Sequence, residues 1–193
     1  MALNLQSFEA FRVFLETAIH ISEMPKLSLI YVNRFVLRGK ETKVLLKKLK
    51  ESLGLSLEPS KVKVEVVKSE DLILYLLNGS PAIMEKDGRL LPTLFFKELV
   101  QKLPTVCVDM GAIPAICRGA DVMAPGVRRV EGDFGVGSYV KVVDEVHGKA
   151  IALGISLLSS IAIKGQRTGK VVEIFHFVGD KVWDLGKTVK PIS

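Results

Sequence analysis

What the chain has little of narrows the reading first. Cys107 and Cys117 are its only cysteines and His20, His147 and His176 its only histidines, with no CxxC pair among 193 residues. That spacing excludes the usual zinc sites and a disulfide-stapled scaffold, so no metal and two buried thiols are expected. No apolar run approaches the ~20 residues of a membrane-spanning helix. The first residues carry Glu9 and Glu16 and lack a basic leader region, which argues against a secretory signal. The first half holds no GxxxxGK[ST] phosphate loop, no nucleophile elbow, no HExxH and no evident carboxylate pair, its acidic residues being scattered among lysines. The expectation is a cytoplasmic protein without cofactor and without catalysis.

What is present is an ordinary globular composition, 48% apolar and 25% charged, with 27 basic against 21 acidic residues and a net charge of +6. A folded, mildly basic protein follows, for which nucleic acid is a plausible partner that charge alone does not establish. The length suits two small domains, and Pro104 separates them: residues 1–103 and residues 104–193.

Residues 8–19 place Phe8, Phe11, Phe14, Leu15, Ala18 and Ile19 at helical spacing and read as an amphipathic helix. Residues 27–37 read as a strand, and Gly39 breaks it before a helix over residues 41–53. In that helix Leu45, Leu46, Leu49 and Leu53 form a core stripe, with Lys43, Lys47 and Lys50 opposite and Gly54 as the stop. Residues 61–67 alternate in the manner of a half-buried strand, and residues 72–77 and 82–85 follow as strands with hairpin signals at Asn78-Gly79 and Asp87-Gly88. Thr93 is expected to cap a helix through Phe95, Phe96, Leu99 and Val100.

From Val106 the sequence VCVDMGAIPAICRGADVMAPGV is densely punctuated. It reads as a strand, then a carboxylate at Asp109 able to accept from the next turn, then a short helix with Gly111 and Ala112 on its surface. Ile113, Ile116 and Cys117 belong to its core side, Arg118 lies exposed at its C-terminus, and Gly119 supplies a left-handed stop. Ala120, Asp121 and the residues to Met123 resume as strand, and Pro125-Gly126 turn the chain toward Arg128 and Arg129. The expected result is a notch of small residues rimmed by arginines. Residues 138–143, 149–157 and 171–177 follow as strands, the second with small residues at Ala150, Ala152, Gly154 and Ser156, and a last strand is expected around Trp183. His176 and Trp183 read as core residues, His176 with one satisfied polar group.

The segment VDMGAIPAICRGADVMAPGV, with Gly132-Asp133, Gly154 and the closing HFVGDKVW, resembles the PUA domain shared by pseudouridine synthases and archaeosine transglycosylases. The resemblance implies a β pseudo-barrel over residues 105–185 that grips structured RNA through the glycine-bearing helix, the loop after it and the nearby strand. Carried onto this chain, the RNA-binding residues are Gly111, Ala112, Arg118, Gly119, Ala120, Asp121, Arg128 and Arg129. The physical reading agrees, because small residues admit a sugar-phosphate backbone and rim arginines neutralise phosphates and stack on bases. The whole chain, through VLRGKETKVLLKKL and LLPTLFFKEL, resembles the malignant-T-cell-amplified-sequence family of translation factors and its archaeal relatives. The fold class expected is α+β, an N-terminal α/β domain with an antiparallel meander followed by the PUA pseudo-barrel. The partners this family implies are the small ribosomal subunit, tRNA or rRNA, and a density-regulated-protein-like factor in initiation, reinitiation or recycling. Residues 1–23 have no counterpart in the family pattern, so Met24 is expected as the native start.

Two rival classes remain open at this level. An accessory or targeting protein for tRNA or rRNA modification, in the pseudouridine or archaeosine pathways, would use the same module. A protein adaptor would use the edge of the meander instead and would be indifferent to salt and to the arginines.

Overall fold

The computed structural model describes residues 33–69 and 72–189. The expected helix over residues 8–19, the expected start at Met24 and the first part of the strand at residues 27–37 lie outside the described residues.

The N-terminal half is an open antiparallel sheet of five strands in sequence order: β1 (Asn33–Val36), β2 (Val64–Lys68), β3 (Ile73–Leu77), β4 (Ser80–Lys86) and β5 (Arg89–Pro92). The two tight turns form where Asn-Gly and Asp-Gly stand. Asn78 and Gly79 have φ of 51° and 81°, and Asp87 and Gly88 have 52° and 72°, the left-handed pairs that match the twist of a two-residue hairpin. Helix α1 (Gly39–Leu53) lies on one face, with Leu45, Leu46 and Leu49 packed on Val64, Leu77, Ile83 and Leu90. Gly54 ends it at φ 67°, its N–H bonded to the carbonyl of Lys50.

β2 departs from the half-buried alternation expected of it: Val64, Glu65, Val66 and Val67 are all buried. The reason is that both faces of the sheet are covered. Glu65, 1% exposed, is tolerated because the Arg34 guanidinium meets it at 2.7 Å and the Lys63 ammonium at 3.4 Å. Thr93 does not cap the next helix either. It is wholly buried, its hydroxyl donating to the Pro81 carbonyl and accepting from the Phe95 N–H at 3.2 Å, and helix α2 (Lys97–Lys102) starts four residues later.

The C-terminal half is a six-stranded curled sheet, a half-barrel, in the order β7-β11-β10-β9-β6-β8. Its strands are β6 (Thr105–Val108), β7 (Val122–Met123), β8 (Val127–Glu131), β9 (Tyr139–Asp144), β10 (Ala150–Ser156) and β11 (Lys170–Phe177), with β6 and β9 the one parallel pair among them. Its core is internal: Val106, Val108, Ile113, Ile116, Val140, Val142, Ile151 and Val172 meet inside the curl. The small residues of β10 have a steric cause. A Cβ on Gly154 would fall 2.6 Å from the Glu173 carbonyl oxygen, where a bulge brings β10 and β11 together. Cys107 and Cys117 are free and buried, and burial pushes the Cys117 thiol up to about 11, with the Arg118 charge pulling the other way.

The strand expected around Trp183 is instead helix α5 (Lys181–Thr188); before it come α3 (Ile113–Ile116), between β6 and β7, and α4 (Ser160–Gly165), ahead of β11. Asp180 decides this: its Oδ1 accepts the Trp183 N–H at 2.7 Å, capping the helix, while its Oδ2 accepts the Phe177 N–H at 3.1 Å and holds His176 Nδ1 at 2.7 Å. α5 then packs back on the first half. Trp183 stacks on Phe95 with ring centroids 4.9 Å apart, and any side chain at Gly186 would collide with the Phe95 ring. Val182 joins Val67, Leu74, Leu76, Met84 and Leu91, the face of the N-terminal sheet opposite α1, with Tyr139 and Phe175 alongside. The Lys141 ammonium donates to the Gln101 carbonyl at 3.0 Å across the same junction. None of the helices among the described residues is long and apolar enough to cross a membrane.

Candidate RNA interface

The residues singled out in sequence gather around α3 (Ile113–Ile116), a single turn between β6 and β7. Asp109 starts it: its Oδ1 accepts the Ala112 N–H at 2.8 Å, which folds the four residues before the helix proper into a turn. Ile113 and Ile116 anchor the turn in the core. Gly111 is exposed, whereas Ala112 is used inward, since a Cβ on Gly126 would lie 3.3 Å from the Ala112 Cβ. The notch between them is closed by protein.

At the other end of α3, Arg118, Gly119 and Ala120 are all exposed. Gly119 has φ 92°, and a Cβ there would press on the Phe177 ring at 3.3 Å, so both conformation and contact require glycine. No carboxylate of the described residues lies within ion-pair distance of Arg118. Asp121 is partly buried and turned to structural use: its Oδ1 accepts the Ile174 N–H at 2.8 Å, tying β7 to β11, and its Oδ2 meets the Lys170 ammonium at 2.5 Å. That bond and the Asp121 charge raise the Lys170 pKa above its ordinary value.

The two rim arginines are not brought together. Arg128 pairs with Asp109 at 3.2 Å and with Glu145 at 3.8 Å, and Glu145 also accepts the Met110 N–H at 3.1 Å. Arg129, its neighbour on β8, pairs with Glu131 at 2.5 Å, and the bond and charge of Glu131 raise its pKa. Successive strand residues point to opposite faces, so the adjacent cations serve different surfaces. The site therefore divides into an Arg128–Asp109–Glu145 cluster beside Gly111 and an open patch of Arg118, Gly119 and Ala120 flanked by Lys170. Lys170 was missed in sequence: forty-nine positions separate it from Asp121, and only the pairing of β7 with β11 joins them. Among the described residues no three His, Cys, Asp or Glu side chains converge as a metal site would require.

Family models and relatives fit this geometry. Residues 104–178 match the PUA domain, and residues 33–100 match a domain of unknown function, DUF1947. An uncharacterised protein of Methanocaldococcus jannaschii is 37% identical over 72% of this chain and 90% of its own. Translation machinery-associated protein 20 of Saccharomyces cerevisiae is 33% identical over 66% of this chain and 75% of its own. The Drosophila melanogaster homologue of malignant T-cell-amplified sequence 1 is 32% identical over 70% and 78%. The chain belongs to this family. A solved PUA-domain structure from Aeropyrum pernix, crystallised with tartrate, superposes on this member of the malignant T-cell-amplified-sequence family with a TM-score of 0.71 at 28% identity, over 82% of this chain and 92% of that one. A Pyrococcus horikoshii protein does so at 0.64 and 29%, over 80% and 99%. The half-barrel is a PUA fold, and the α+β class expected from sequence holds for both halves.

Proposed function

We propose that this family member is a non-catalytic RNA-binding protein of the translation machinery. In this reading it acts with the small ribosomal subunit in initiation, reinitiation or recycling, in the cytoplasm, alongside a density-regulated-protein-like factor. Its two halves, residues 1–103 and 104–193, act as two domains joined at Pro104, and no cofactor is needed. RNA is held at the open end of α3 by Arg118, Gly119 and Ala120 beside Asp121, with Gly111 and Arg128 along the rim, while Ala112, turned inward, and Arg129, on the other face of β8, lie off this surface. The observation that carries the reading is the exposed, carboxylate-free Arg118 beside an exposed glycine in a PUA domain, where a phosphate backbone can approach and be neutralised at once. Arg128 contributes less on approach, because Asp109 and Glu145 already hold it.

The test is co-sedimentation of the full chain with purified small ribosomal subunits across a salt titration, beside Arg118→Ala and with bulk tRNA as competitor. The expected result is salt-sensitive binding that the substitution weakens about tenfold, the effect of ~1.4 kcal/mol and in the range of a charge-assisted contact. Binding indifferent to both salt and Arg118→Ala would remove the reading in favour of a protein adaptor. Retention of tRNA without subunit binding would move the role to RNA modification.

A further inference from the structure

The face of α1 turned away from the sheet takes no part in the site around α3. Lys40, Lys43, Lys47 and Lys50 follow one another at intervals of three, four and three, which on a helix sets them in one stripe. All four are exposed, and the stripe runs about 15 Å along the axis at the usual rise per residue. Of the four, Lys47 alone has an acidic partner among the described residues, Glu51 at 3.9 Å, and both are too exposed for the pair to hold the lysine firmly. A shallow groove of about 600 Å³ borders the stripe, lined by Gly39, Thr42, Lys43, Pro59 and Lys63. Lys63, just before β2, is half-exposed at its edge and has its ammonium turned to Glu65 at 3.4 Å, so the free charge beside the groove comes from α1.

The layering fixes the side of the molecule on which this stripe lies. Leu45, Leu46 and Leu49 hold α1 to one face of the N-terminal sheet, and Val182, Tyr139 and Phe175 of the PUA half meet the other face. The lysines therefore lie on the far side of the sheet from the PUA domain. We propose that the outer stripe of α1 is a second surface for an RNA phosphate backbone, so that one chain holds two separate RNA segments at once. The second half of this statement rests on the PUA half binding RNA.

The chemistry favours RNA over an acidic protein or a lipid surface. Lysine ammoniums are rotatable point charges that suit phosphates read without sequence. Protein hot spots need aromatic or arginine anchors, and interfacial helices need an apolar face beside the cations. The four stripe positions hold neither. Val44, the exposed apolar residue of α1, stands one turn from Lys40 and lines a groove with it, Phe35 and Tyr75, and one such residue does not give the helix an apolar face.

The experiment compares the full chain, Arg118→Ala and a quadruple variant with Lys40, Lys43, Lys47 and Lys50 each changed to Gln. The probe is a mixture of two 20-bp RNA duplexes, one carrying a donor dye and one an acceptor, with the dissociation constant and the energy transfer followed against salt. The quadruple variant is expected to flatten the slope of log affinity against log salt by about 3, since each phosphate that is no longer neutralised removes roughly 0.7–0.9 from it, and to abolish transfer between duplexes. A companion with the same four lysines changed to Arg keeps both, which separates charge from folding. If the glutamine variant leaves slope and transfer unchanged while Arg118→Ala weakens binding, the second surface falls and the PUA reading stands. If the glutamine variant weakens binding and Arg118→Ala does not, the stripe stands and the PUA reading falls. Displacement of RNA by polyglutamate at lower charge concentration than by polyuridylate would overturn the proposal in favour of an acidic protein partner.

Discussion

The two halves solve the burial of a sheet differently. The PUA half curls, so that Val106, Val140, Val142, Ile151 and Val172 meet one another inside it. The N-terminal sheet stays open and has two apolar faces. One is covered by its own α1, while the other, with Val67, Leu74, Leu76, Met84 and Leu91, is covered from the PUA half by Val182, Tyr139 and Phe175. An open sheet left with one bare apolar face would expose just the kind of patch that soluble chains avoid. The difference teaches that the dependence is mutual but unequal: the PUA core takes Leu94 from the first half, whereas the N-terminal core takes a whole covering layer from its neighbour.

The largest expected effect tests that dependence directly. Leu74, wholly buried in β3, sits in the shared cluster, and Leu74→Ala should cost about 3 kcal/mol, in the usual range for a buried leucine. Denaturant unfolding should remain a single transition that moves as a whole, because loss of either face undoes the other. Two resolved transitions, of which only the first shifts, would show that the N-terminal sheet holds its shape alone and would break the comparison.

A smaller effect follows from the clasp that keeps α5 in place. Asp180→Ala removes the cap on the Trp183 N–H, the bond to the Phe177 N–H and the partner of His176 Nδ1 together. Lost capping and a buried imidazole left without its partner should cost about 2 kcal/mol. The near-ultraviolet signal of Trp183, the chain's one tryptophan, should weaken as its stack on Phe95 loosens. Asp180→Asn keeps an acceptor for the helix and should recover part of the loss. An alanine variant with unchanged stability and an unchanged tryptophan signal would mean that α5 is held by its apolar contacts alone.

The legible parts of the fold were those decided within a few residues. Asn78-Gly79 and Asp87-Gly88 demand left-handed turns whatever surrounds them, and the leucines of α1 repeat on one side over successive turns. The parts misread were decided from far away. Residues 61–67 alternate as a half-buried strand would, yet Glu65 is buried because a second domain covers the other face and Arg34 reaches across from β1. Val182, Trp183 and Leu185 look like strand residues, and a cap at Asp180 with a landing place on Phe95 makes them helix. The same division runs through the candidate site. Arg118 and Gly119 announce themselves as a helix end, whereas the tie of Arg128 to Asp109 and Glu145 and of Lys170 to Asp121 depends on strand pairing no local pattern encodes.

The smallest effect distinguishes the halves by pH. In the PUA half, burial raises the Cys117 thiol from its ordinary 9.0 to about 11. In the N-terminal sheet, burial and the hydrogen bond to Glu85 raise the Tyr75 phenol well above its ordinary 10.0. Both groups are neutral when protonated and are held so by the fold, so above its ordinary pKa each binds more protons folded than unfolded, and stability falls as pH rises. The thiol acts first, between about 9 and 11, and the phenol from about 10 upward. Cys117→Ala should therefore flatten the fall in thermal midpoint between pH 9 and 10 while leaving the steeper loss above it, and Tyr75→Phe should do the reverse. Because the halves share one apolar layer, both substitutions should move the same single transition. Separate transitions, each sensitive to its own group, would show that the shared layer does not couple the two sheets.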